Sequence, residues 1–110
     1  MTEQITIEDF KKIEMRIGTI IEATEVPKSR SLLKLKVDLG NGNIKQAIAG
    51  LKGYYKPEEL VGQQFVFVTN LKPARLMGEL SEVMILAAVG DKEVVLIQPE
   101  KKTKNGLRVE

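Results

Sequence analysis

The sequence contains no cysteine and no histidine. Without cysteine the chain forms neither a disulfide framework nor a thiolate nucleophile, and a cytoplasmic location is expected. Without histidine it lacks the commonest general base and the commonest metal ligand. Sites built from carboxylates alone remain open, but no carboxylate cluster has a recognisable ligand spacing. The composition therefore favours a protein that is not an enzyme and that uses no metal and no cofactor.

Aromatic residues and long apolar runs are scarce as well. The five aromatic residues are Phe10, Tyr54, Tyr55, Phe65 and Phe67. The phenylalanines are expected in the core, so only the two tyrosines are candidates for stacking on bases. Proteins that bind unstructured nucleic acid usually expose several aromatic side chains, so this composition favours recognition of the shape and backbone of a folded RNA. No run approaches the ~18 apolar residues that cross a bilayer, and no membrane partner is expected.

The net charge of +2 conceals an uneven distribution. Residues 1–25 carry a net charge of −3, residues 26–78 a net charge of +6, and residues 79–110 a net charge of −1. A basic segment within a near-neutral domain can focus positive potential on one face, which suits a polyanionic partner. The alternative is a solvated lysine surface without such a partner.

A short helix is predicted where Thr6 can act as the N-cap and Asp9 reaches the third helical position. Ile5 and Phe10 fit a hydrophobic staple across this helix start. Phe10 and Ile13 are expected to pack inward. The role of this helix is expected to be structural.

Alternation with period two predicts a series of short strands after this helix. Gly18 interrupts the first strand and indicates a bulge or bend, as in a coiled barrel strand. The clearest alternation is in SLLKLKVDL, and the following GNGN is a hairpin signal. The predicted strands are residues 15–24, 31–39, 44–51 and 65–71 and a final hairpin of 83–89 with 93–98, with a helical turn at 57–60.

Five to six short strands with two short helices are typical of a small all-β barrel. The length and strand count fit a five-stranded oligonucleotide/oligosaccharide-binding (OB) barrel, here with a short N-terminal helix and a C-terminal extension. We predict one domain over residues 1–110, with the barrel core at about 14–98 and the extension at 99–110. Leu107 and Val109 alternate in the extension, which could add an edge strand or pack on a partner.

Basic side chains cluster on the second and third predicted strands. Lys34 and Lys36 point away from the core side of their strand, and Lys45 is expected beside them across the hairpin. In an OB barrel these strands form the usual ligand-facing surface, where cations meet phosphates. Lysine is also common on exposed strands for edge protection and solubility, and the sequence leaves both interpretations open.

The stretch NLKPARLMGELSEVM separates two apolar runs. Pro73 stiffens the backbone, so Lys72 and Arg75 are expected to project from a rigid loop. Ser81 can donate to a phosphate, and a partly exposed Met84 can lie against a base or ribose. The alternative is an ordinary connection between strands, with a capping serine and a core methionine.

The same stretch, continued as NLKPARLMGELSEVMILAA, closely resembles the tRNA-binding domain that is fused to, or stands beside, methionyl-tRNA synthetases. The family pattern is Asn-Leu-Lys-Pro, a nearby basic residue, a glycine, and then Ser-x-x-Met before a Leu-Ala strand. ITIEDFKKIEMRIGTI, LLKLKVDLGNG and YYKPEELVGQQFVFVTNLKPA also match. The resemblance covers residues 5–98 and extends to related stand-alone tRNA-binding proteins and to an export-related chaperone.

The resemblance implies a non-catalytic domain that binds tRNA by shape, as an accessory domain or β subunit of methionyl-tRNA synthetase. The implied partners are tRNA and a second copy of the chain, with the synthetase catalytic subunit as a further candidate. A dimeric chaperone-like protein that binds unfolded polypeptide on the same fold is the alternative. The predicted tRNA-binding residues are Lys34, Lys36 and Lys45 from the strand pattern, and Asn70, Lys72, Arg75, Ser81 and Met84 from the resemblance.

The chain departs from the family pattern at three positions. Arg30 stands where an acidic residue is frequent, Met77 where an arginine is frequent, and Val83 where a glycine is frequent. The first exchange is expected to strengthen the attraction for a polyanion, and the second removes one expected cation.

Overall fold

Nine short strands and two short helices make up residues 2–110, the part of the chain that the computed structural model describes. In chain order they are α1 (Ile7–Lys11), β1 (Met15–Glu25), β2 (Leu33–Asp38), β3 (Ile44–Ala49), α2 (Pro57–Leu60), β4 (Gln64–Val68), β5 (Ala74–Leu76), β6 (Glu79–Ser81), β7 (Met84–Ile85), β8 (Ala87–Val89) and β9 (Val94–Leu96). Neither helix of this described part is long and apolar enough to cross a bilayer.

β1 is the strand around which the barrel closes. Five strands form an antiparallel sheet in the order β3-β2-β1-β4-β7, while β5–β6 and β8–β9 form separate hairpins. The first half of β1, Met15 to Thr19, pairs with β4, and its second half pairs with β2, so the sheet bends toward closure. Residues 80–83 meet the free side of β3. The predicted all-β fold, a nearly closed five-stranded barrel with a short N-terminal helix, is confirmed.

The bulge in β1 lies three residues beyond the glycine that predicted it. The register with β2 shifts between Ile20 and Glu22, which leaves Ile21 as an extra, exposed residue. Gly18 lies in the regular pairing with β4. A Cβ atom there would come within 2.6 Å of Cγ1 of Val37, so glycine makes room for the core. The predicted bulge is therefore corrected from Gly18 to Ile21.

The core lies between the inner faces of the barrel strands. β2 shows the predicted alternation, since its apolar residues are buried and its lysines are half-buried. β4 is buried along its whole length, as its apolar composition predicts. Phe67 on β4 is the largest fully buried side chain, and its loss would cost about 3–5 kcal/mol. The core cluster consists of Ile20, Leu33, Leu35, Val37, Leu39, Ala47, Leu51, Leu60, Phe65, Phe67, Val83, Ile85 and Leu96.

The start of α1 is confirmed, but its inward packing is not. The Thr6 hydroxyl accepts from the N–H of Asp9 at 3.1 Å, and the Asp9 carboxylate accepts from the N–H of Thr6 at 3.5 Å, which is a capping box. The predicted burial of Phe10 and Ile13 is wrong, since α1 contains no buried residue and Ile13 beyond it is exposed. The helix lies outside the barrel core, and these side chains line a groove beside the C-terminal residues Arg108–Glu110 instead.

The predicted final hairpin is present, but its first strand is split in two. β7 pairs with β4, whereas β8 pairs with β9. The division falls at Leu86, whose N–H donates to the carbonyl of Val66 and whose carbonyl accepts from the N–H of Ile97. The predicted strand at residues 83–89 therefore contributes to two different sheets.

The C-terminal extension pairs with the edge of β1 through an isolated antiparallel bridge between Arg16 and Arg108, in line with one of the two roles that its pattern allows. The N–H of Ile17 donates to the carbonyl of Leu107, and the N–H of Val109 donates to the carbonyl of Met15. The N–H of Gly106 in turn donates to the carbonyl of Ile17 at 2.7 Å. These bonds add the extension to the first half of β1.

Candidate nucleic-acid interface

The stretch NLKPARLMGELSEVM contains a hairpin that the sequence pattern does not predict. β5 and β6 pair over their full length and are joined by a two-residue turn, Met77-Gly78. Both turn residues have positive φ, 52° for Met77 and 80° for Gly78, as a type I′ turn requires. Residues 71–78 are all exposed. The predicted rigid loop is therefore corrected to an exposed hairpin.

Residues 70–84, which contain β5 and β6, are called the hairpin segment from here on, and they present Lys72 and Arg75 to solvent. Arg75 Nη1 donates to the carbonyl of Gly78 at 3.2 Å, which places the guanidinium beside the turn. This bond uses one of the five guanidinium N–H donors, so the others remain for a ligand. Neither cation takes part in any of the five ion pairs found among residues 2–110.

Lys34 and Lys36 leave β2 on its outer face, as predicted, because the alternate residues of the strand fill the core. Lys34 Nζ lies 3.4 Å from Oε1 of Glu79, so an ion pair joins β2 to the hairpin. Lys36 lies opposite Gln46 on β3 and Glu22 on β1. It forms no ion pair with any residue of the described chain, so its ammonium group, unlike that of Lys34, is not held by a carboxylate.

Lys45 does not share the outer face with Lys34 and Lys36. The register places it opposite Val37, whose side chain is in the core, and directly opposed residues point to the same side of a sheet. Lys45 Nζ instead lies 3.8 Å from Oε2 of Glu82. The predicted common lysine face is therefore wrong for Lys45, because the turn between β2 and β3 sets the register and the strand pattern does not.

Glu79 and Glu82 thus connect two strand lysines to the hairpin segment. The five cations that the sequence predicts for phosphate contact are called the cationic set from here on. They are Lys34, Lys36, Lys45, Lys72 and Arg75. Two of the five, Lys34 and Lys45, are paired with these glutamates.

Side-chain hydrogen bonds close the barrel between β3 and residues 80–83, a contact that we call the seam. The Glu82 carboxylate accepts from the backbone N–H of Gln46 at 3.0 Å, and the Gln46 amide donates to the carbonyl of Leu80 at 2.8 Å. The N–H of Glu82 donates to the carbonyl of Gln46 at 2.7 Å. The seam fixes where the hairpin leaves the barrel.

Ser81 belongs to the seam. Its hydroxyl accepts from the N–H of Ile48 at 3.1 Å and donates to the carbonyl of Val83 at 3.3 Å. The single hydroxyl proton is therefore engaged within the protein, and a bond to phosphate would have to replace the bond to Val83. The contacts match the capping serine of the alternative interpretation.

Asn70 anchors the other end of the hairpin segment. Its Nδ2 donates to the carbonyl of Lys12 at 2.7 Å, and its Oδ1 accepts from the N–H of Glu14 at 2.9 Å. Both ends of the amide therefore hold the link between α1 and β1. In this arrangement Asn70 positions the segment that carries Lys72.

Glu14, which the sequence does not single out, extends this anchor. The Thr69 hydroxyl donates to Oε1 of Glu14 at 2.6 Å, and Nε of Arg16 lies 3.2 Å from the same oxygen. The bond from Thr69 and then that from Arg16 hold the pKa of the Glu14 carboxyl below its usual value. No local pattern reveals this contact, because Thr69 lies 55 residues away in the chain.

Exposed apolar side chains accompany the cationic set. Met84 is 46% exposed on β7, so it is not the core methionine of the alternative interpretation. Leu71, Leu76 and Met77 are exposed on the same segment. Sequence reasoning missed the two leucines, whose only signal was that each adjoins a cation, Lys72 or Arg75, in a stretch without regular alternation.

The assembled groups are suited to binding. Cations can neutralise phosphates, and apolar side chains can contact bases, riboses or apolar peptide groups. Within residues 2–110, no group of three or more acidic residues lies close enough together to hold a metal ion.

A family model described as "Putative tRNA binding domain" matches residues 15–108 of the chain. Methionine–tRNA ligases of Methanococcus aeolicus and Methanocaldococcus jannaschii are 57% and 51% identical to it over 99 and 108 residues. The alignments cover 90% and 97% of the chain but only 14% and 16% of the two ligases. The chain therefore spans a small part of the curated relatives that it matches.

Solved structures match the fold over nearly the whole chain. A MetRS-related protein from Pyrococcus horikoshii has a TM-score of 0.93 at 33% identity, covering 99% of this chain and 100% of that one. The chaperone CsaA from Bacillus anthracis has a TM-score of 0.90 at 38% identity, covering 98% of this chain and 100% of that one.

Proposed function

Because the chain belongs to the tRNA-binding domain family, we propose that it binds folded tRNA and catalyses no reaction on it. The observation that carries the proposal is the exposed stretch of residues 71–78, which presents Lys72 and Arg75 to solvent, next to a hairpin that is joined to Lys34 through Glu79. Cations on an exposed hairpin segment fit the phosphate backbone of a structured RNA. The scarcity of exposed aromatic side chains argues against stacking on unpaired bases.

Its role is that of an accessory domain or β subunit of a methionyl-tRNA synthetase. The support is the identity of 57% to a methionine–tRNA ligase of which the chain matches 14%. A domain with tRNA affinity and no chemistry of its own raises the local tRNA concentration for a catalytic partner.

The domain acts as a homodimer. The groove between α1 and the C-terminal edge has a volume of about 400 Å³ and is lined by Ile7, Phe10, Ile13 and Val109, among others. Leu107 is exposed nearby in the chain. A second copy that docks its own α1 and C-terminal extension there would bury apolar surface on both sides of a two-fold axis.

Gel filtration with light scattering tests the dimer. Ile7→Asp introduces a charge into the groove at the first helical position, where a carboxylate is compatible with the helix. We expect the wild type to elute as a dimer and I7D as a monomer. Val61→Asp, at an exposed apolar residue after α2, is the control and should stay dimeric. A monomeric wild type would refute the dimer.

Fluorescence anisotropy with labelled, folded tRNA tests the binding surface. Replacing both Lys72 and Arg75 by alanine is expected to weaken binding about tenfold or more, since each loses a charge-assisted contact to phosphate. The control removes two exposed cations outside the cationic set, Lys92→Ala with Lys104→Ala. Equal affinities of the two double variants would contradict the proposed surface.

A chaperone-like role is the second candidate. The likeness to the chaperone CsaA, at 38% identity over the full length of that chain, favours it. The exposed Leu71, Leu76, Met77 and Met84 would supply the apolar contacts for an unfolded polypeptide. Competition distinguishes the two functions, because tRNA binding predicts that an unfolded client does not displace labelled tRNA.

A further inference from the structure

Two glutamates of the hairpin segment hold two of the five cations that would meet phosphate. Glu79 Oε1 lies 3.4 Å from Nζ of Lys34, and Glu82 Oε2 lies 3.8 Å from Nζ of Lys45. All four side chains are partly buried, with exposed fractions between 28% and 42%. Such pairs are screened less than fully exposed ones.

The two glutamates differ in what else they do. Glu82 also accepts from the N–H of Gln46 and so belongs to the seam. Glu79 makes no hydrogen bond or ion pair other than that with Lys34 among the side-chain contacts of residues 2–110. Glu79 is therefore not needed to close the barrel, and its carboxylate acts on Lys34 alone.

A phosphate that approaches either lysine competes with a carboxylate that is already in place. The ammonium group of lysine has three donors, so a brief sharing is possible, but two anions on one cation repel each other. Stable contact with phosphate therefore requires the glutamate to withdraw. Lys36, Lys72 and Arg75 form no ion pair within the described chain, although Glu22 lies opposite Lys36 in the sheet.

We propose that Glu79 and Glu82 are specificity-determining residues that occupy Lys34 and Lys45 in the free protein and are exchanged for phosphates on binding. The inference rests on the proposed binding of a polyanion. Lys36, Lys72 and Arg75 make the first contacts, and only a ligand with enough phosphates in the right places gains the two remaining lysines. Because each internal ion pair must first be broken, the two glutamates lower the affinity for any polyanion that engages Lys34 or Lys45.

The first test replaces each glutamate by glutamine, which keeps an acceptor oxygen for the seam and removes the charge. Binding is measured by anisotropy for folded tRNA and for heparin, a polyanion without bases. E79Q and E82Q should each bind about two- to fivefold more tightly than wild type, the range expected for a partly exposed ion pair. Glu58→Gln, at an exposed glutamate of α2, controls for the change in net charge.

The second test is a double-variant cycle on Lys34 and Glu79. If Lys34 passes from Glu79 to phosphate, K34A should lower affinity more in the E79Q background than in the wild type. In the wild type, added salt also weakens the Lys34–Glu79 pair, which partly offsets its weakening of tRNA binding. E79Q lacks this pair, so its binding affinity should fall more steeply with salt concentration. A purely structural role of Glu79 would change neither quantity.

The results separate this inference from the proposed function. If the wild type binds tRNA and E79Q and E82Q match E58Q, the exchange is refuted and the function stands. If the wild type does not bind tRNA, the function fails, while a gain in heparin affinity for E79Q beyond that of E58Q still supports the exchange. If E79Q and E82Q match E58Q with both ligands, the exchange is refuted. E79Q is decisive if E82Q unfolds, since Glu79 lies outside the seam contacts.

Discussion

At the scale of single residues, Glu14 and Asn70 decide how the hairpin segment is held. Each joins the link between α1 and β1 to the end of β4, through Thr69 for Glu14 and through two backbone bonds for Asn70. Polar contacts of this kind need few residues and fix an angle between elements. They also make the local stability depend on the charge of one carboxyl.

The acid dependence of stability tests the role of Glu14. Its folded-state pKa is lowered, so its contribution to the free energy of unfolding is present above the usual value of 4.5 and is lost as the pH falls below that value. In E14Q this part of the acid dependence should be absent. Urea unfolding between pH 7 and pH 3 measures the difference.

The matched control for this prediction is E58Q, which removes an exposed carboxylate on α2. Acid destabilisation of the same size in E14Q and the wild type would show that the contacts of Glu14 with Thr69 and Arg16 carry no pH-dependent stability.

The sequence predicted the orientation of some site residues, but it did not predict the contacts of others. Alternation placed Lys34 and Lys36 on the outer face of β2, because burial of every second residue leaves no other side for them. Lys45 was assigned to the wrong face, since its orientation depends on the register of β3. Ser81 and Asn70 have contacts far away in the chain, which spacing does not report.

At the scale of elements, the β5–β6 hairpin has a turn whose backbone conformation is strained. A bulky residue with positive φ is strained, and Met77 occupies the first central position of a turn that prefers asparagine or glycine. The hairpin escaped prediction because its strands have three residues each and its first strand is wholly exposed. Without a buried face there is no alternation to detect.

Relief of this strain is a direct prediction. Met77→Asn creates an Asn-Gly turn and should raise the free energy of unfolding by about 1 kcal/mol, measured by urea unfolding. Met84→Asn, at an exposed methionine in an ordinary strand, is the control and should give no gain. A gain in both variants, or in neither, would contradict the account of the turn.

The C-terminal extension is the other segment whose packing is tight. A Cβ on Gly106, where φ is 91°, would lie 2.6 Å from the carbonyl oxygen of Leu39. Gly106→Ala should therefore destabilise the protein by about 2 kcal/mol or more. Gly53→Ala is the matched control, because Gly53 has a φ of 95° and a Cβ there would have no neighbouring atom within 4 Å.

Chemical unfolding of the two glycine variants measures their free energies of unfolding. The comparison separates the effect of backbone strain from that of the collision with Leu39. Both variants place an alanine at a positive φ, so the backbone strain is similar in the two. Only G106A adds the collision with Leu39, so it should lose clearly more stability than G53A. Equal losses would mean that the extension moves away from Leu39 without cost, and that this contact is not tight.

At the scale of the whole molecule, the barrel was the part that sequence could predict best. Strand alternation, the GNGN turn and the PEEL helix all describe local order, and together they admit few folds. The bulge at Ile21, the division at Leu86 and the seam were not predictable, because each depends on how distant strands meet as the barrel closes. The candidate surface depends on both: on strands that local patterns predict, and on contacts between strands that are distant in the sequence.

The central claim is that the cationic set binds a folded tRNA through its phosphates. Binding that neutralises several phosphates releases counterions, so the logarithm of the association constant falls linearly with the logarithm of salt concentration. The measurement is an anisotropy titration of folded tRNA over a range of salt concentrations. Five phosphate contacts predict a slope of about −3 to −5 for each bound protomer. A slope near zero, with binding intact, would contradict the claim.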